Sequence, residues 1–112
     1  MAEMQLSSSL SVAGQLNAED ITRLAKQGFK TFICNRPDGE GGPEQPDSRV
    51  LAQDAQAQGA SFYYLPMAAG IAPPPDVVAE FARLYEQADK PILAFCRSGT
   101  RSSNIFQAIT RL

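Results

Sequence analysis

Cys96-Arg97-Ser98-Gly99-Thr100-Arg101-Ser102 is the stretch of this chain whose residue types and spacing can do chemistry. An apolar run, Pro91-Ile92-Leu93-Ala94-Phe95, leads into it, and a helical pattern, Ser103-Asn104-Ile105-Phe106-Gln107-Ala108-Ile109, leaves it. Cys96 therefore stands between a strand end and a helix start. A nearby cation and a helix N-terminus together lower a thiol pKa to roughly 3.5–7.5, which favours the nucleophilic thiolate. Backbone N–H groups from Arg97 to Ser102 can turn inward as an anion nest that feeds the first turn of the helix. Gly99 permits the tight turn this needs. Arg101 can present a bidentate fork to two oxygens of a phosphate, a sulfate or another sulfur oxyanion. The expected roles follow. Cys96 is the nucleophile and Arg101 binds the oxyanion. Arg97, Ser98, Gly99, Thr100 and Arg101 form the anion-binding loop. Ser102 donates a hydrogen bond to the Cys96 sulfur as it departs. The Arg97 side chain is either a solvated charge or an attractor of anions to the pocket mouth.

The rest of the composition narrows the alternatives. The chain has no histidine, which excludes Ser-His-Asp triads, Cys-His nucleophile pairs and almost every catalytic zinc site. Its two cysteines, Cys34 and Cys96, make neither a disulfide framework nor a Cys-x-x-Cys motif. Cys34, after a buried strand, reads as a small core residue, the alternative being a back-up thiol for oxidised Cys96. No metal or organic cofactor is implied. The 112 residues, 44% apolar and 20% charged, suffice for one domain with a real core. They are read as standing alone or as a module of a longer protein, with Arg111-Leu112 inside or at the end of a helix. The net charge of −2, with no basic tract, argues against nucleic acid. No apolar run approaches the ~20 residues that span a bilayer, and no secretory signal is visible. The expected location is the cytoplasm. No pattern specifies an oligomeric state.

Strands and helices alternate along the chain. A short strand at residues 10–13 ends at Gly14. Asn17 caps a helix with Ile21, Leu24 and Ala25 on one face, closed by Gly28. Residues 29–35 read as a buried strand, and residues 36–46 as a breaker-rich loop. Asp47 or Ser48 caps a second helix carrying Val50, Leu51, Ala55 and Ala57. Residues 61–65 form a third strand, and residues 67–75 a loop with three consecutive prolines. Asp76 caps a third helix carrying Val77, Val78, Phe81, Leu84 and Tyr85. The fold class is thus α/β: a single domain with a mostly parallel sheet of four to five strands flanked by helices. Ligands in such sheets bind beyond the carboxyl ends of the strands, so the loops after Asn35 and Leu65 should line the same pocket as the Cys96 loop.

The strand, Cys-x-x-Gly, Arg-Ser and helix succession resembles the phosphate-binding loop of protein tyrosine and dual-specificity phosphatases. Those enzymes place five residues between cysteine and arginine, and commonly a histidine before the cysteine. Here four residues separate Cys96 from Arg101, and Phe95 precedes the cysteine. More of the chain is similar to the bacterial phosphatase-like domain family of beta-lactamase-hydrolase-like proteins. The similarity covers Ser11-Val12-Ala13-Gly14-Gln15-Leu16, Gly28-Phe29-Lys30-Thr31, Asn35-Arg36-Pro37-Asp38-Gly39-Glu40, Gln45-Pro46, Tyr64-Leu65-Pro66-Met67 and the Cys96 loop. In that family the domain stands alone or is fused to a metallo-beta-lactamase-fold hydrolase implicated in sulfur metabolism. Such a hydrolase, fused or adjacent, is thus an implied partner. The resemblance implies a cysteine phosphatase-like fold and phosphoester hydrolysis through a phosphocysteine.

Such a phosphatase uses a general acid to protonate the leaving oxygen. Its usual place in the resembling enzymes is the loop after the third strand, here Met67-Ala68-Ala69-Gly70-Ile71, which has no acid. Asp38 is the candidate acid or a supporting residue, with Glu40 beside it. The alternative is that Arg36 and Asp38 pair to fix their loop. The four-residue spacing is also similar to the loop of rhodanese-type sulfurtransferases, which implies a persulfide on Cys96 and requires no acid. A third possibility is a non-catalytic anion-binding or redox-sensing module.

Overall fold

The apolar run before Cys96 becomes the central strand of the sheet. The computed structural model describes residues 3–110, so Arg111-Leu112 lie outside the described residues. The elements are β1 Met4–Gln5, β2 Leu10–Ala13, α1 Ala18–Lys26, β3 Thr31–Cys34, α2 Ser48–Ala57, β4 Ser61–Tyr64, α3 Pro75–Gln87, β5 Ile92–Phe95 and α4 Thr100–Thr110. The strands lie in the order β1-β2-β5-β3-β4. β2, β5, β3 and β4 are parallel, and β1 runs antiparallel to β2 at one edge. A strand flanked on both sides and covered on both faces must be apolar throughout, as Ile92–Phe95 is. Its side chains alternate between two cores. Leu93 and Phe95 join the cluster that contains Leu24 of α1 and Leu51 of α2. Ile92 and Ala94 join the cluster that contains Phe81 of α3 and Ile105 of α4. Fully burying side chains such as Phe95 and Phe81 stabilises the fold by roughly 1.5–3 kcal/mol each.

The local signals hold in most places. Asn17 and Asp20 form a reciprocal capping box on α1, and Gly28, at φ +114°, follows the helix end. Asp47 caps α2 by accepting from the Arg49 N–H. Three readings need correction. Asp76 does not cap α3. The cap is Pro74, with Pro75 at the first helical position, and Asp76 lies exposed in the first turn. Proline at that position has φ already set for a helix and no N–H to satisfy, so the helix starts before the aspartate. Val50 is half-exposed, whereas Leu51 and Ala55 are the buried residues of α2. The fifth strand, β1, went unread because its two residues are both exposed and carry no apolar alternation. No helix among the described residues is long and apolar enough to cross a membrane.

Candidate active site

β5 delivers Cys96 to the carboxyl edge of the sheet, and α4 starts four residues later. The turn between them is braced against the end of β2: Cys96 N–H donates to Ala13 O at 3.3 Å, and Gln15 N–H donates to Arg97 O at 3.2 Å. Gly99 has φ +91°, the left-handed region, and a Cβ there would touch the Ala13 carbonyl at 3.5 Å. The turn aims backbone N–H groups at the sulfur. Gly99 N–H lies 3.1 Å from Cys96 Sγ. Cys96 is 1% exposed. That burial by itself raises the thiol pKa. The N–H groups of Ser102, Ser98, Arg101 and Gly99 outweigh it, so the net shift is downward from 9.0. Ser98 and Thr100 share a hydroxyl hydrogen bond at 3.0 Å on the exposed side of the turn.

Cys34 has the opposite environment. Burial pushes its thiol up to about 11, and its S–H donates to Arg36 O at 3.4 Å. Thiolate absorbance near 240 nm is therefore expected to titrate with a midpoint below 9.0 for one thiol only. Cys96→Ser should remove that step and Cys34→Ser should leave it. A single step near the ordinary thiol value in the wild type would contradict the cradle.

Arg101 is held edge-on. Its Nη1 donates to Glu40 Oε2 at 2.8 Å and to Met67 O at 3.0 Å, and its Nη2 donates to Glu40 Oε1 at 2.7 Å. A guanidinium has five N–H groups in one plane. Those three bonds leave Nε–H and the outer Nη2–H, which lie on the same edge and form a second fork. The nearby Cys96 sulfur, when ionised, helps hold the Arg101 guanidinium in its charged form. One edge of the guanidinium is thus fixed to protein, and the other is open to a thiolate or an oxyanion. Glu40 accepts a further bond from Arg36 Nε at 2.9 Å, and Arg36 Nη1 reaches Gln15 at 3.2 Å. The Arg101 hydrogen bond, aided by Arg36 and opposed by burial, holds the Glu40 carboxyl down at about 2. At neutral pH it has no proton to give, and its place in the site is to position Arg101.

Two sequence expectations are redrawn here. Ser102 is fully buried, and its hydroxyl donates to Asn35 Oδ1 at 2.9 Å, so its backbone N–H and not its hydroxyl serves the sulfur. Asp38 accepts from Ser48 N–H at 2.9 Å and Ser48 Oγ–H at 2.7 Å, which ties it to the start of α2. The loop-fixing pairs are therefore Arg36 with Glu40 and Asp38 with Ser48, not Arg36 with Asp38. Asp38 does not line the clefts beside the Cys96 loop.

Asn35 is a site residue that sequence reasoning missed. It is fully buried; its Nδ2 donates to Leu65 O at 2.9 Å and its Oδ1 takes the Ser102 hydroxyl, so it joins the ends of β3, β4 and α4. A polar residue ending a buried strand is the signal that could have found it. Asn35→Ala leaves a part-buried carbonyl and a buried hydroxyl without this partner, and should destabilise the domain by about 2 kcal/mol in chemical denaturation. An unchanged midpoint would show that this network is not under load.

Two clefts open on the Arg101 side of the loop. One, of about 620 Å³, runs between the Met67–Pro73 segment and α4, where Asn104, Gln107 and Ala108 line it. The other, of about 540 Å³, is lined by Arg36, Glu40, Gly41, Ala69, Arg97 and Arg101. Both share Arg97 and Arg101, and the loops after Asn35 and Leu65 do reach this pocket. Besides Glu40, neither cleft presents an acid.

Known proteins share the fold. A candidate phosphatase of Neisseria meningitidis Z2491, known from a crystal structure, superimposes with a TM-score of 0.84 at 38% identity, over 95% of this chain and 74% of that one. The catalytic core of the PP-IP phosphatase Siw14 from S. cerevisiae shares the fold, with a TM-score of 0.75 at 16% identity over 97% of this chain and 65% of that one. A beta-lactamase hydrolase-like protein of Agrobacterium fabrum C58 is 32% identical over 106 residues, and one of Xylella fastidiosa Temecula1 is 27% identical. The chain spans 24% of the length of these curated relatives. Residues 4–111 match the model of the beta-lactamase hydrolase-like protein, phosphatase-like domain. With its cysteine phosphatase-like α/β fold, this chain belongs to that phosphatase-like domain family.

Proposed function

We propose that the domain is a cysteine-dependent phosphatase that hydrolyses phosphoesters through a phosphocysteine. The observation that carries this reading is a thiol shifted toward its anion at the start of a helix, with Gly99 N–H 3.1 Å from its sulfur and the open fork of Arg101 nearby. In the first step the Cys96 thiolate attacks phosphorus. An S–P bond forms, the P–O bond to the leaving group breaks, and the leaving oxygen keeps the electron pair. In the second step water attacks phosphorus, the S–P bond breaks, and the thiolate returns to its cradle as inorganic phosphate leaves. The N–H groups and Arg101 stabilise charge on the phosphoryl oxygens, which is where the transition state develops it. With no protonated acid in the clefts, leaving groups that need no proton, such as nitrophenolate, should react fastest.

The spacing of four residues between Cys96 and Arg101, together with that lack of an acid, favours sulfur transfer as a second reading. There the thiolate attacks the outer sulfur of thiosulfate, an S–S bond forms and sulfite leaves. Cyanide then takes the terminal sulfur as thiocyanate and frees the thiolate. A paired assay tests both readings: nitrophenolate release from p-nitrophenyl phosphate, and thiocyanate formation from thiosulfate and cyanide, each with a Cys96→Ser control. Cysteine-dependent phosphate release alone is the expected result. Cysteine-dependent thiocyanate alone would replace it with sulfur transfer. Silence in both would move the domain to anion binding or redox sensing.

A further inference from the structure

The cleft over Arg36 holds more positive charge than one oxyanion at Cys96 needs. Its lining carries a net +2, three arginines against one glutamate. Both Glu40 oxygens are already taken by Arg101 and Arg36. Arg36 is 9% exposed, yet its Nη2 makes no hydrogen bond among the described residues. That nitrogen is not buried, so it stays open to the cleft, where an acceptor can reach it. Gly41 keeps that nitrogen uncovered: a Cβ there would lie 2.5 Å from Arg36 Nη2. Arg97 is exposed, has no ion-pair partner among the described residues, and lines both this cleft and its neighbour.

From these features we infer that Arg36 and Arg97 form a second anion subsite, so that the natural ligand carries two anionic groups, one for the Cys96 cradle and one for this cleft. The inference rests on the proposed oxyanion site at Cys96 and extends it to a substrate class. Simple monoesters, with a single anionic group, fill only half of the site. The second group is a phosphate or a carboxylate, both of which match the arginine fork.

Isothermal titration calorimetry on the Cys96→Ser protein tests this without turnover. The ligands are methylphosphonate, the methylene-, ethylene- and propylene-bisphosphonates, and phosphonoacetate. At least one two-headed ligand should bind about tenfold or more tightly than methylphosphonate, the gain expected for one further charge-assisted contact. Whether phosphonoacetate shares the gain distinguishes carboxylate from phosphate as the second group. Gly41→Ala, which pushes on Arg36, and Arg97→Ala should each erase most of the gain. Methylphosphonate binding with no gain for any two-headed ligand would overturn the inference and leave the Cys96 site standing. So would a gain that survives in both variants. Binding of none of the ligands would overturn the inference and the Cys96 site together.

Discussion

Cys96→Ser is expected to abolish turnover, by at least about 10⁴-fold in kcat, while leaving an oxyanion bound. A serine hydroxyl stays protonated at neutral pH and is a far weaker nucleophile than a thiolate. The same cradle that lowers the thiol pKa cannot ionise an alcohol. The anion stays because its partners are the N–H groups of the turn and the open edge of Arg101, none of which the substitution removes. Phosphate should bind as well as before or better, since the thiolate that repels it is gone. Steady-state kinetics on p-nitrophenyl phosphate and calorimetry with phosphate check the two halves. Retained turnover would sink the thiolate mechanism. Lost turnover with lost phosphate binding would show that the substitution had collapsed the turn instead.

Arg101→Lys should be nearly as damaging, with kcat/KM reduced by roughly 10²–10³-fold. Charge is conserved, but geometry is not. The guanidinium meets both Glu40 oxygens and the Met67 carbonyl, and in the proposed mechanism its free edge meets the oxyanion. A lysine ammonium is a single point with three donors and cannot span those positions. Glu40 would keep Arg36 alone and lose the partner that contributes most to its low pKa, so its carboxyl should rise from about 2 toward its ordinary 4.5. Carboxyl chemical shifts followed by NMR read that rise. Phosphate affinity reads the lost fork. Wild-type affinity in Arg101→Lys would remove Arg101 from the oxyanion site.

The elements and the residues of the turn were readable because their causes are local. An apolar run, a breaker cluster and a cap each act within a few residues, so they mark β3, α1, α2 and the β5-turn-α4 unit directly. Cys96, Gly99 and Arg101 lie inside one such window. The parallel sheet followed from the alternation of strands and helices. What was misread also has local reasons: Pro75 overrides Asp76 at the start of α3, and β1 is too short to show a period.

The partners of the turn were not readable. Glu40 lies 61 positions from Arg101, and Asn35 lies 67 from Ser102. Asp38 and Glu40 are both acids on one loop, and nothing in their spacing says which one turns to the arginine. That choice belongs to the sheet order, which sets β3 beside β5 and brings the loop after Asn35 over the start of α4. Ser102 likewise has two acceptors within reach of its type, the sulfur and a buried amide, and packing of the loop ends decides for the amide. By itself the sequence determined the strand-turn-helix unit that carries Cys96 and Arg101, because that depends on short-range backbone geometry and residue chemistry. Only the tertiary structure decided which acid holds Arg101, which amide ties the loops and where Arg36 is left open, because each is a contact between segments that are distant in the chain and meet at one edge of the sheet.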